Sequence, residues 1–151
     1  RGFHPALTGK QNLRVVAAAA GIPDSRIDEV LEMVELKDAA GKRMKNYSLG
    51  MKQRLALAGA ILGDPEILIL DEPANGLDPA GIAWLRKFLR KLAEGGRTIL
   101  VSSHQLAEMQ NTVDDVLIIN KGKLIASGSM KEVIGDGSLE DAFLALTGGE
   151  L

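Results

Sequence analysis

The chain has 151 residues, 46% of them hydrophobic and 25% charged, and a formal net charge of −2. That is length enough for one core, in proportions ordinary for a globular domain, and the charge leaves no basic footprint for nucleic acid. The absence of cysteine excludes disulfide frameworks and thiolate metal sites, and no apolar run reaches the ~20 residues of a membrane-spanning helix.

From the N-terminus the pattern is helical. Ala17 to Ala20 is helix-compatible. Ile27, Val30, Leu31 and Val34 then repeat at i, i+3, i+4 and i+7, with Ser25 and Asp28 spaced as a capping box. Lys42 to Asn46 is a polar break. A further helix is expected from near Ser48 to Gly63, apolar nearly all round and so buried.

Beyond it the pattern changes. Ile67-Leu68-Ile69-Leu70, Thr98-Ile99-Leu100-Val101 and Val116-Leu117-Ile118-Ile119 are short continuous apolar runs. Runs of this kind, alternating with helical patterns, read as strands of a parallel sheet buried on both faces. Between the first two, Ile82, Leu85, Leu89 and Leu92 make one helical stripe beside the basic Arg86, Lys87, Arg90 and Lys91, which a solvated helix face explains. A short helix follows His104. Lys121-Gly122-Lys123 turns the chain into Leu124-Ile125-Ala126, and Leu139, Ala142, Phe143 and Leu146 mark a last amphipathic helix. The expectation is a helical segment over 1–63, including the helix headed by Ser48, followed by an α/β core over 64–151.

Four places carry unusual chemistry. Asp71-Glu72 closes the first aliphatic run, and ligands in open α/β sheets bind beyond the carboxyl ends of strands. One carboxylate there can hold a hydrated Mg²⁺, and the other can orient or deprotonate a water for attack on a phosphate. The pair also fits a simple turn and helix cap before Pro73. His104, after the second run, can reach a terminal phosphate or an attacking water, or cap a helix on the surface. Ser48 heads the expected buried helix, where free N–H groups and the helix dipole suit an anion; Gly50 permits close backbone approach. An ordinary serine N-cap accounts for Ser48 equally well. In Asn75-Gly76-Leu77-Asp78-Pro79, Asp78 is placed to cap a helix whose first residue is Pro79.

Taken in order, these features resemble the nucleotide-binding domain of ABC transporters. Tyr47-Ser48-Leu49-Gly50-Met51-Lys52-Gln53-Arg54 is similar to the ABC signature LSGGQxQR, with Tyr47, Leu49 and Met51 in place of Leu, Gly and Gln. Ile67 to Glu72 resembles the Walker B strand, Asn75-Gly76-Leu77-Asp78 the D-loop and His104 the switch histidine. Phe3 to Gly9 resembles the stretch after the family's Q-loop, and the tail from Ser138 to Gly148 resembles the drug- and antibiotic-exporter branch. The resemblance covers essentially the whole chain.

It implies an incomplete P-loop NTPase core with a mostly parallel sheet, an N-terminal helical subdomain, and ATP and Mg²⁺ as cofactors. Asp71 would act on the Mg²⁺ shell, Glu72 would polarise the attacking water and His104 would contact the γ-phosphate. Ser48, Leu49, Gly50, Met51 and Gln53 would face ATP held by the opposite subunit of a head-to-tail dimer, with Asp78 at that interface. The partners would be a second ATP-binding subunit and a transmembrane permease, on the cytoplasmic face of the membrane, with no nucleic acid. No Gly-x-x-x-x-Gly-Lys-[Ser/Thr] occurs in the sequence, and Arg1 running into Phe3-His4-Pro5 reads as the middle of something longer. The chain alone is therefore expected to be inactive, with an unpaired strand edge beside the Asp71 strand. A soluble ABC-type ATPase working on ribosomes or DNA is one alternative, and a non-catalytic remnant that only dimerises or docks is another.

Overall fold

The computed structural model describes residues 2–149. It is an α/β chain of two compact units, one ending at Val101 and the other beginning at Ser102.

The first unit opens with α1 (Gly9–Ala20), started by a capping box the sequence pattern had not singled out. Thr8 Oγ1 accepts the Gln11 N–H at 3.0 Å, and Gln11 Oε1 accepts the Thr8 N–H at 2.9 Å. Gly21, at φ 70°, ends the helix in the left-handed conformation. Next comes α2 (Asp24–Met33), whose N-cap is Pro23 with no side-chain cap bond. The Ser25/Asp28 capping box is therefore corrected: the helix starts earlier, and Ser25 already lies inside its first turn. Short 3₁₀ turns at Lys37–Ala39 and Met44–Asn46 fill the polar break.

α3 (Leu49–Ile61) is capped by Ser48. It buries Leu55, Leu57, Ala58 and Ile61 and leaves Ala56 and Ala60 exposed, so it is one-sided rather than buried all round. Its last carbonyls have a built partner. Arg26 of α2 donates from Nη2 to Ile61 O at 2.9 Å and from Nε to Leu62 O at 3.1 Å, placing a guanidinium where the helix dipole is negative.

Then follow β1 (Ile67–Asp71), α4 (Pro79–Glu94) and β2 (Thr98–Ser102). β1 and β2 are neighbours, and Thr98 N–H donates to Glu66 O at 2.9 Å. The two strands thus start at the same end, as a β-α-β crossover requires. Leu68 and Leu70 join Leu85, Phe88, Leu89 and Leu92 of α4 and the buried faces of α1 to α3 in one cluster. The opposite face is open: Ile67 is 64% exposed, Ile69 71% and Leu100 50%. Burial on both faces is thus corrected for this sheet, because helices cover one side only among the described residues. β1 also pairs with no strand other than β2 among them.

The second unit contains α5 (Leu106–Thr112), β3 (Asp115–Asn120), β4 (Lys123–Ser129), α6 (Met130–Ile134) and α7 (Leu139–Thr147). β3 pairs antiparallel with β4, from Asp115↔Ser129 to Asn120↔Lys123, with a register shift at Ile118/Ile119. The expected parallel strand at 116–119 is corrected accordingly. Its alternation of buried Val116 and Ile118 with exposed Leu117 and Ile119 is that of a half-buried hairpin. Lys121 and Gly122, at φ 50° and 74°, supply the two positive φ values a type I′ turn needs. Val116, Ile118 and Leu139 form the core of this unit, with Phe143 packed on it.

Candidate functional site

In the first unit a cavity of about 440 Å³ opens between the start of α3 and the turn that leads into α4. It gathers Ser48, Leu49, Gly50, Met51 and Gln53 from one side and Gly76 and Asp78 from the other. Sequence reasoning had assigned these two stretches to one interface, and the fold brings them to one surface.

Ser48 is the N-cap of α3, its Oγ accepting the Met51 N–H at 3.1 Å. A hydroxyl has two acceptor lone pairs and one proton, so capping leaves the proton for another acceptor. The helix is 13 residues long, and the first N–H groups of any helix lack intrahelical acceptors. A Cβ placed on Gly50 would meet nothing nearer than Ser48 Oγ, at 3.9 Å. No contact among the described residues demands glycine there, and the space it leaves belongs to the cavity. Asp78 caps α4, Oδ1 accepting the Gly81 N–H at 2.7 Å, with Pro79 in the first turn.

Tyr47 is not part of the cavity. It is buried, and its hydroxyl donates to Ala39 O at 2.6 Å. Burial pushes the phenol above its usual range, against a hydrogen bond from the Gly9 backbone that acts the other way. A side chain on Gly9 would land on this hydroxyl, so the off-pattern tyrosine requires glycine at that position.

Asp71 and Glu72 stand apart from the cavity, which reaches only as far as Pro73. Asp71 is exposed at the end of β1, while Glu72 is partly buried at φ 47°. A non-glycine residue held in the left-handed region stores strain of order 1 kcal/mol, and such strain gathers at functional sites. No group of three His, Cys, Asp or Glu able to hold a metal occurs among the described residues. One exposed carboxylate fits Mg²⁺ only in the mode that ion prefers, through water and together with a ligand's phosphates. His104 is exposed, just after β2, and belongs to the second unit; beside it Ser103 Oγ accepts the Gln105 N–H at 2.9 Å.

Trp84 was not anticipated. It lines the cavity from α4, lies 4.4 Å beneath the Arg54 guanidinium and stacks on Phe88 at 4.9 Å. Its place next to Leu85 and four residues before Phe88, flanking the apolar stripe, was the available signal.

A family described as "AAA domain, putative AbiEii toxin, Type IV TA system" matches residues 1–110. The ABC transporter ATP-binding protein YhcH of Bacillus subtilis is 49% identical over 128 residues, 83% of this chain and 42% of that protein.

The chain belongs to the AAA-domain family, and its homologues are ABC transporter ATP-binding proteins.

The bacitracin transport ATP-binding protein BcrA of Enterococcus faecalis is 45% identical over 87% of this chain and 44% of its own length. The lantibiotic transport ATP-binding protein SrtF of Streptococcus pyogenes is 40% identical over 91% and 58%. A solved ATP-binding subunit of an ABC transporter superposes with a TM-score of 0.81 at 28% identity, covering 95% of this chain and 64% of that one. This ABC-type chain thus spans between 42% and 58% of the length of these three curated relatives.

Proposed function

We propose that this chain is the signature-bearing part of an ABC exporter's ATP-binding subunit. In the complete protein that subunit binds and hydrolyses ATP in a head-to-tail dimer and drives transport through a membrane permease. The observation that carries the reading is the cavity that joins Ser48 and Gly50 to Asp78 while leaving Asp71 and Glu72 outside it. Two phosphate-directed sets on one chain, at different places, are what two nucleotides shared between facing subunits require.

In this reading the Ser48 hydroxyl donates to a terminal phosphate held by the opposite subunit. The N–H groups at the start of α3 add partial positive charge, and Gly50 keeps the approach open. Leu49, Met51 and Gln53 complete this face, and Asp78 meets the partner. Asp71 would hold Mg²⁺ through water, and the bound ion would supply charge neutralisation at the phosphates. Glu72 orients the attacking water and takes its proton; His104 supports the γ-phosphate. The names of BcrA and SrtF, which speak of bacitracin and lantibiotic transport, favour antibiotic-type cargo. Phe3 and the face of α1 that carries Val15, Val16 and Ala19 line an apolar groove suited to a membrane subunit, which would hold the protein at the cytoplasmic side. No helix among the described residues is long and apolar enough to cross a membrane itself.

The test uses the full-length protein. Glu72→Gln should cut turnover by about 10²-fold or more with ATP binding retained, and ATP should then drive a stable dimer detectable by light scattering. Adding Ser48→Ala should weaken that dimer. An ATP-driven dimer that ignores Ser48→Ala contradicts the shared site. The 151-residue chain alone, without a Gly-x-x-x-x-Gly-Lys-[Ser/Thr] loop, should show no Glu72-dependent turnover.

A further inference from the structure

Leu49 departs from the signature. It stands where the family pattern has glycine, in the first turn of α3, and is 51% exposed. An isolated surface leucine needs no explanation, but this one is not isolated. Gly76 adopts φ 77°, and a Cβ built there would lie 2.6 Å from Leu49 Cδ2. The leucine thus occupies the notch that the missing side chain leaves. One helical turn on, Gln53 Nε2 donates to Asn75 O at 3.2 Å. The next residue, Arg54, lies over Trp84 of α4. Three side chains of α3 therefore grip the segment that carries Asp78: before the turn's glycine, at its backbone, and on the helix it starts.

We propose that Leu49 is a positioning residue that sets the Asn75–Asp78 turn. On this account its side chain does not bind nucleotide; it acts through the turn. A glycine at 49 could not reach Gly76, so Leu49 replaces backbone freedom with a packing contact that fixes the spacing of Ser48 and Asp78 on the shared face. The functional part of this inference rests on the nucleotide reading above; the positioning part does not.

The turn has its own reporters, because Asn75 N–H donates to Glu72 O and Leu77 N–H to Ala74 O, both at 3.1 Å. Leu49→Ala keeps a good helix former and removes the wedge. In the 151-residue chain, hydrogen exchange at Asn75 and Leu77 should accelerate by about tenfold, with the thermal midpoint and the amide of buried Ala58 unchanged. In the full-length protein the same variant should raise the ATP concentration for half-maximal turnover by about tenfold, with kcat changed less. Gly76→Ala alone should be more damaging, since it meets both the clash and the φ strain. Adding Leu49→Ala should restore part of that loss by removing the clash. Unchanged exchange at Asn75 and Leu77 would overturn the positioning role, and accelerated exchange with an unaltered ATP response would overturn its functional consequence. An ATP response indifferent to Ser48→Ala would instead defeat the nucleotide reading, with the exchange result still deciding whether Leu49 sets the turn.

Discussion

At Tyr47 two forces act on one hydroxyl. Burial favours the neutral phenol and the Gly9 N–H favours the phenolate, with burial the larger. Below about pH 10 folded and unfolded chains both keep the proton. As pH rises past that point the unfolded chain loses it first, so folding stability falls until the raised folded value is passed. The chain has one tyrosine, so tyrosinate absorbance reports Tyr47 alone and should titrate above 10. Tyr47→Phe should remove this alkaline slope and cost about 1 kcal/mol at neutral pH, measured by denaturant unfolding, through the lost bond to Ala39 O. Little of this was legible. Tyr47 read as a departure from a motif, because its partners Gly9 and Ala39 are distant in sequence. Ser48 was legible in full as a cap, since an N-cap is decided within three residues.

Elements were legible where their ends carry local chemistry. Asp78 and Pro79 announced the start of α4, and Asp78→Ala should lower stability by about 1 kcal/mol in thermal or denaturant unfolding. The Thr8/Gln11 box is equally visible as Thr-x-x-Gln, whereas at Ser25/Asp28 the same local spacing misleads because Pro23 lets α2 begin sooner. The end of α3 was legible in position, within two residues of the expected Gly63, but not in what serves it, because its carbonyls are met by Arg26 from another helix. Arg26→Ala should therefore cost about 1–3 kcal/mol, more than surface ion pairs usually contribute. Amide exchange of the residues before Leu62 should show whether the loss is felt there. An unfolding midpoint unmoved by Arg26→Ala would show that water serves these carbonyls as well.

For the whole molecule, aliphatic runs disclosed strands but not their covering. Ile67-Leu68-Ile69-Leu70 looks the same whether one face or both are packed, and here alternate residues divide between the cluster and the surface. An exposed face bearing Ile67, Ile69 and Leu100 is the kind of patch that binds other apolar surfaces. The 151-residue chain should accordingly bind an apolar-surface dye, and Ile69→Lys should reduce the binding while shifting stability by no more than about 0.5 kcal/mol. The antiparallel pairing of β3 was likewise hidden, though the positive-φ pair Lys121 and Gly122 marks it once the register is known.

The central claim is that Glu72 serves one nucleotide and Ser48 the one across the dimer. Full-length Glu72→Gln and Ser48→Arg proteins, each inactive, should be mixed and their ATP turnover measured. If sites are shared head to tail, a mixed dimer retains one site with both native residues, and turnover should rise well above that of either variant alone. Turnover that stays at the sum of the two separate variants, with mixed dimers shown to form, would contradict the account.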